Sequence, residues 1–133
     1  MKISGGCYCG SLRYESLGDI EASIQCHCRE CQYITGGHPN VLIIVPLNKF
    51  NFVKGKPKTY ERKDIKMAMQ RLFCQDCGTA IGTRNPNRPN SIILKVGTFD
   101  DPSIFKPDIA IFTIDKQKFH HIEDGLKSFE RRP

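Results

Sequence analysis

Short apolar runs broken by glycine, proline or charged turns dominate this chain. Residues 41–45, Val-Leu-Ile-Ile-Val, are apolar throughout and end at Pro46, the pattern of a strand covered on both faces. Residues 22–26 read as a shorter strand. Residues 50–53 and 59–62 read as two more, flanking the turn Gly55-Lys56-Pro57. Ile65, Met67 and Met69 alternate with polar residues before Leu72-Phe73. This predicts a strand running into Cys74, with residues 80–83 returning as the second arm of a hairpin. Further strands are predicted over 92–96 and 109–114, on either side of the Asp100-Asp101-Pro102 turn. Only residues 29–35, closed by Gly36-Gly37, carry a helical signature. The stretch 116–133 is polar, with apolar anchors at Phe119, Ile122, Leu126 and Phe129. The expectation is a mainly β chain with at least one short helix.

Composition agrees with a turn-rich β protein. The 133 residues contain no Trp, 39% are apolar, and there are 11 Gly and 8 Pro. One domain over residues 1–133 is expected. Met1-Lys2-Ile3-Ser4 lacks the apolar stretch of a secretory leader, and no run approaches membrane-spanning length. A cytoplasmic protein with reduced thiols is therefore expected.

The cysteines change this picture most. All seven fall in three tight clusters: Cys7-Tyr8-Cys9, Cys26-His27-Cys28-Arg29-Glu30-Cys31, and Cys74-Gln75-Asp76-Cys77. Cysteines serving as small hydrophobes would scatter along buried strands. Spacings of two and three let one short loop deliver two thiolates to one ion. An odd count and close spacing argue against disulfides. A redox C-x-x-C pair would need a thioredoxin-like βαβ context that the pattern lacks.

Seven ligands divide naturally into four plus three. Two facing knuckles give a closed site of Cys7, Cys9, Cys74 and Cys77. Cys26, Cys28 and Cys31 hold a second ion and leave one coordination position free. Pairing the first knuckle with part of the second cluster instead strands three thiols. A fourth ligand from His27 or His38 would close the second site. His27 lies between two ligands and is read as their neighbour, while His38 stays open. His120-His121 read as surface histidines.

The formal charge of +6 suggests a nucleic-acid partner, but seven thiolates and two zinc ions bring the balance to about +3. The basic residues are dispersed, and no interleaved aromatics accompany them, which argues against nucleic acid.

These motifs carry a resemblance. Gly5-Gly6-Cys7-Tyr8-Cys9-Gly10, the Cys26–Cys31 cluster with Gly36-Gly37, and Phe73-Cys74-Gln75-Asp76-Cys77-Gly78 are similar to the signature of the glutathione-dependent formaldehyde-activating enzyme (GFA) family, which includes the centromere-protein-V-like (CENP-V) proteins. The likeness continues through 96–102 and ends at Asp124-Gly125-Leu126. It implies a fold of coiled β-sheets (a β-tent). It also implies a structural zinc on Cys7, Cys9, Cys74 and Cys77, and a labile catalytic zinc on Cys26, Cys28 and Cys31. The family's type activity joins glutathione to formaldehyde as S-hydroxymethylglutathione, a carbon–sulfur lyase in reverse. Two segments depart from the family pattern: Ala110, Ile111 and Phe112 stand where a His-Ile-Trp-like stretch is common, and Lys118-Phe119 where a Pro-Trp pair is common.

Two functions follow as expectations. One is a zinc-dependent thiol–aldehyde enzyme with a small thiol such as glutathione as partner, and Arg29 as a candidate for steering its carboxylates. The other is a non-catalytic zinc-stapled module that binds a protein or nucleic-acid partner. An open coordination position in a cleft favours the enzyme, and a fourth protein ligand favours the module.

Overall fold

Alternation along β4 (Asn40–Pro46) organises the protein. The computed structural model describes residues 1–133. In β4, Ile43 and Val45 point into one cluster of buried side chains, and Leu42 and Ile44 into another. Both faces of this strand are covered, which is why its sequence is continuously apolar rather than alternating.

Eight strands form one mixed sheet in the order β11-β10-β3-β4-β9-β8-β7-β6. They are β3 (Ala22–Cys26), β4, β6 (Lys58–Tyr60), β7 (Gln70–Phe73), β8 (Ala80–Arg84), β9 (Ser91–Lys95), β10 (Ile109–Ile111) and β11 (Lys127–Ser128). The chain runs antiparallel except at one edge, where β10 lies parallel to β3 and β11 parallel to β10. A three-stranded antiparallel sheet, β1 (Ile3–Gly6), β2 (Arg13–Ser16) and β5 (Phe50–Lys54), supplies Ile3 and Tyr14 to the larger core with Ile43, Val45, Ile81, Ile92 and Leu94. Cys7 and Cys74 belong to this core, whereas Cys26 and Cys31 belong to the cluster on the other side of β4.

The one α-helix, α1 (Arg29–Thr35), matches the predicted span. Cys28 is its N-cap, with the sulfur accepting from the Cys31 amide, and Gly36 closes it in the left-handed conformation at φ 84°. The fold is mainly β with this short helix, as the pattern predicted.

Two local expectations need correction, and the tail adds a strand that the pattern did not give. The strand foreseen from Ile65 to Phe73 begins only at Gln70. Asp64 folds back to accept from Arg62 Nε and Nη2 at 2.8 and 2.7 Å, and Ile65 and Met67 point to solvent. The 109–114 strand stops at Ile111, because Phe112 turns left-handed (φ 54°) and residues Thr113–Asp115 form a 3-10 turn. Finally, the polar tail contributes β11 to the sheet edge, with the Phe129 amide donating to Ala110 O at 2.9 Å.

Candidate metal centres and the adjoining groove

Cys7 and Cys9 follow β1, and Cys74 and Cys77 occupy the turn between β7 and β8. Backbone amides aim at the sulfurs: Leu12 N–H donates to Cys7 Sγ at 3.2 Å, and Asp76 N–H to Cys74 Sγ at 3.4 Å. The Ser11 and Thr79 hydroxyls lie 3.1 Å from Cys9 and Cys77 Sγ respectively. The contact with Thr79 pulls the Cys77 thiol down to about 6.

All four sulfurs lie within 4.8 Å of one another. Cys7 Sγ to Cys9 Sγ is 3.7 Å, and Cys9 Sγ to Cys74 Sγ is 3.8 Å. Sulfur–metal bonds of about 2.3 Å in a tetrahedron place sulfurs about 3.8 Å apart, so this set fits zinc. A disulfide requires about 2.05 Å, and every cysteine is free.

The second group is Cys26, Cys28 and Cys31, whose sulfurs also fall within 4.8 Å of each other. Cys26 ends β3, and the other two open α1. Hydrogen bonds with Cys26 and Cys31 hold Cys28 far below the ordinary thiol range, while those with Cys26 and Cys28 push Cys31 up. Three sulfurs sharing protons in this way form a ready acceptor set for a thiophilic cation.

The group has three donors. His27, the nearest ring in sequence, is fully buried, with Nδ1 2.8 Å from His120 Nδ1 and Nε2 3.0 Å from Gln25 Nε2. Both nitrogens are engaged, as the reading of His27 as a neighbour expected. His38 stacks on His120 at 6.3 Å between ring centroids and stands outside the cysteine group. His120 departs from its surface reading: it is 5% exposed and pins residues 115–121 behind α1, with Nε2 donating to Gly37 O at 2.7 Å. The divergent Ala110, Ile111 and Phe112 also lie here, where His27 N–H donates to Ile111 O at 2.9 Å.

A groove of about 270 Å³ opens beside the three-cysteine group, lined by Tyr33, Ile34, Tyr60, Arg71, Thr83 and Lys95. Strand register explains its floor. Tyr60 pairs with Arg71, Arg71 with Thr83, and Thr83 with Ile93, two residues before Lys95. Lys95 pairs with Leu42, two residues after Asn40, and Asn40 pairs with Cys26. Cross-strand partners share a face, so Tyr60, Arg71, Thr83, Lys95, Asn40 and Cys26 lie on one face of the sheet, with the apolar Ile93 and Leu42 between them. Arg71 acts electrostatically on Cys28, and Lys95 on all three thiols. Arg29, by contrast, stacks over Tyr33 at 5.0 Å.

Sequence reasoning missed Lys95 and Arg71. The available signal was a charged residue inside an apolar strand, as in Ser91-Ile92-Ile93-Leu94-Lys95-Val96.

Comparison with known proteins points the same way as the cysteines. A sequence model of the glutathione-dependent formaldehyde-activating enzyme family matches residues 2–115. A crystal structure of a Rhodobacter sphaeroides protein has a similar fold, with a TM-score of 0.59 at 14% identity, covering 97% of this chain and 99% of that one.

Proposed function

The chain belongs to the glutathione-dependent formaldehyde-activating enzyme family, and from that premise we propose that it is a zinc-dependent carbon–sulfur lyase acting on a thiol–aldehyde adduct such as S-hydroxymethylglutathione. The observation that carries the reading is the three-sulfur group, coupled electrostatically to Arg71 and Lys95 of the neighbouring groove. Three protein donors and an adjoining cleft are the pattern of a catalytic zinc site, whereas four mutually packed sulfurs are that of a structural one.

In this reading Cys7, Cys9, Cys74 and Cys77 hold a structural zinc. Cys26, Cys28 and Cys31 hold the catalytic one. When bound there, zinc keeps a coordinated thiol ionised at neutral pH. The chain's own residues do the rest. Cys28 is fixed as the helix N-cap and Cys26 by β3, so the loop holds its sulfurs together without rearrangement. Lys95 and Arg71 offset the negative charge of the cysteine sulfurs. Adduct formation joins the thiolate sulfur to the aldehyde carbon. The carbonyl electron pair moves to oxygen, which takes up a proton. The reverse reaction breaks the same carbon–sulfur bond and frees thiol and aldehyde. A reducing compartment such as the cytoplasm suits seven free thiols.

The test is zinc per chain on reduced, zinc-loaded and desalted protein, with and without glutathione, alongside turnover of glutathione and formaldehyde. Two zincs are expected, one of them perturbed by glutathione, with turnover lost in Cys28→Ala. Turnover by Cys28→Ala at the wild-type rate would sink the mechanism. One zinc indifferent to glutathione would move the reading to a zinc-stapled binding module.

A further inference from the structure

Lys95 is a partly buried cation without a carboxylate partner. It sits near the end of β9, inside an otherwise apolar run. Its Nζ donates to Asn40 Oδ1 at 2.7 Å, and no carboxylate lies within salt-bridge distance of it. Asn40 is itself buried and stands opposite Cys26, so the ammonium is drawn toward the cysteine end of the groove. An ammonium has three N–H groups, and Asn40 takes one.

The other cation of the groove differs. Arg71 Nη2 lies 2.5 Å from Glu30 Oε1, so its charge is already largely answered. Lys95 is therefore the groove cation that has no carboxylate partner. Burial pushes its pKa down to about 8, a value at which it still carries its proton at neutral pH. Holding a cation partly out of water with no carboxylate beside it costs stability, and a group kept at that cost on a groove wall is a candidate for function.

We propose that Lys95, held in place by Asn40, selects carboxylate-bearing thiols over neutral thiols at this site, an inference that rests on the thiol-binding reading above. The sulfur of such a ligand goes to Cys26, Cys28 and Cys31, and its carboxylate accepts from the remaining Lys95 N–H groups. Tyr33, on the helix that carries Cys31, lines the same groove as Lys95. A neutral thiol of the same size makes the sulfur contact and leaves the ammonium unpaired. A charge-assisted hydrogen bond in a partly desolvated site is worth about 1.5–3 kcal/mol, or roughly 10- to 100-fold in affinity.

The experiment is calorimetric titration of the zinc-loaded protein with 3-mercaptopropionate and with 2-mercaptoethanol, for wild type, Lys95→Met and Lys95→Arg. Zinc content and circular dichroism verify that each variant is folded and loaded. Wild type is expected to bind the carboxylate thiol at least about tenfold more tightly. Lys95→Met is expected to erase that preference, bringing the ratio of the two affinities to within about threefold of one whatever the change in absolute affinity, and Lys95→Arg restores most of it. Equal affinity of wild type for the two thiols, or an unchanged preference in Lys95→Met, overturns the role of Lys95 and leaves the thiol-binding reading standing. Failure of both thiols to bind the loaded wild type overturns both.

Discussion

His27 Nδ1 lies 2.8 Å from His120 Nδ1 in the interior, and their other partners permit one arrangement of protons between them. His120 Nε2 faces the Gly37 carbonyl and must donate, so its Nδ1 carries a lone pair, which the Gln117 amide also approaches at 3.3 Å. His27 Nδ1 therefore donates to His120. Its Nε2 accepts from Gln25 Nε2, whose second N–H goes to His121 O at 2.6 Å. All four ring nitrogens are satisfied with both rings neutral. The chain from Gln25 to Gly37 ties residues 117–121 to the loop that carries Cys26, Cys28 and Cys31.

Replacing His120 by Phe keeps the ring volume and removes both ends of this tie. His27 Nδ1–H is then left without a partner in a buried site, and the half-buried Gly37 carbonyl loses its donor. The expected loss is about 1–3 kcal/mol in urea unfolding of the zinc-loaded protein. Zinc release from the three-cysteine group should also accelerate, because the loop presenting it loses its backing.

Gly82 provides a second test. It pairs with Leu72 on one side and Leu94 on the other, and a Cβ there would stand 2.0 Å from the Ile93 carbonyl oxygen. The obstacle is backbone, so a side-chain shift cannot relieve it. Gly82→Ala should force β8 away from β9 and cost about 3 kcal/mol. The groove floor moves with it. A matching loss of thiol affinity in calorimetry is expected, together with a lowered melting temperature.

What the sequence disclosed was local. Cysteine spacing of two and three residues is a property of single turns, and both cysteine groups came together as spacing proposed. The Gly36-Gly37 stop likewise ended α1 where expected. The groove was not legible, because its line of residues depends on the strand order β4-β9-β8-β7, which places Lys95 and Arg71 from separate segments on one face. His120 was read as exposed for a similar reason: its partner is 93 positions away in the chain. The alternation at Ile65, Met67 and Met69 misled because the Arg62–Asp64 pair bends the backbone before a strand can start.

Tyr14 sets the alkaline limit of stability. It is fully buried, with its hydroxyl 2.7 Å from Thr98 Oγ1, and burial raises its pKa to about 12. The folded protein thus keeps a proton that the unfolded chain gives up near 10. Its contribution is complete below pH 10 and is lost as pH rises toward 12, amounting to about 2–3 kcal/mol. Tyr14→Phe should cost about 1 kcal/mol at pH 7 for the lost hydrogen bond. It should also flatten the fall in stability between pH 10 and 12, measured by urea unfolding at each pH.

Metal removal should separate the two cysteine groups. Cys7 and Cys74 are buried in the larger core while Cys9 is exposed, and their group joins segments 65 to 70 positions apart, so zinc held there by four sulfurs closes a long loop and leaves only as that loop opens. Cys26, Cys28 and Cys31 come from one short stretch beside an open groove, and zinc there staples little. A chelator at neutral pH should therefore withdraw one zinc quickly with no change in circular dichroism, and the second slowly with loss of the β signal. Cys74→Ser should unfold the protein at ambient temperature even in excess zinc, whereas Cys28→Ser should leave a folded chain holding one ion. Mass spectrometry under native conditions reads both outcomes. Simultaneous loss of both ions, or a folded Cys74→Ser protein, would refute the division of labour between the groups.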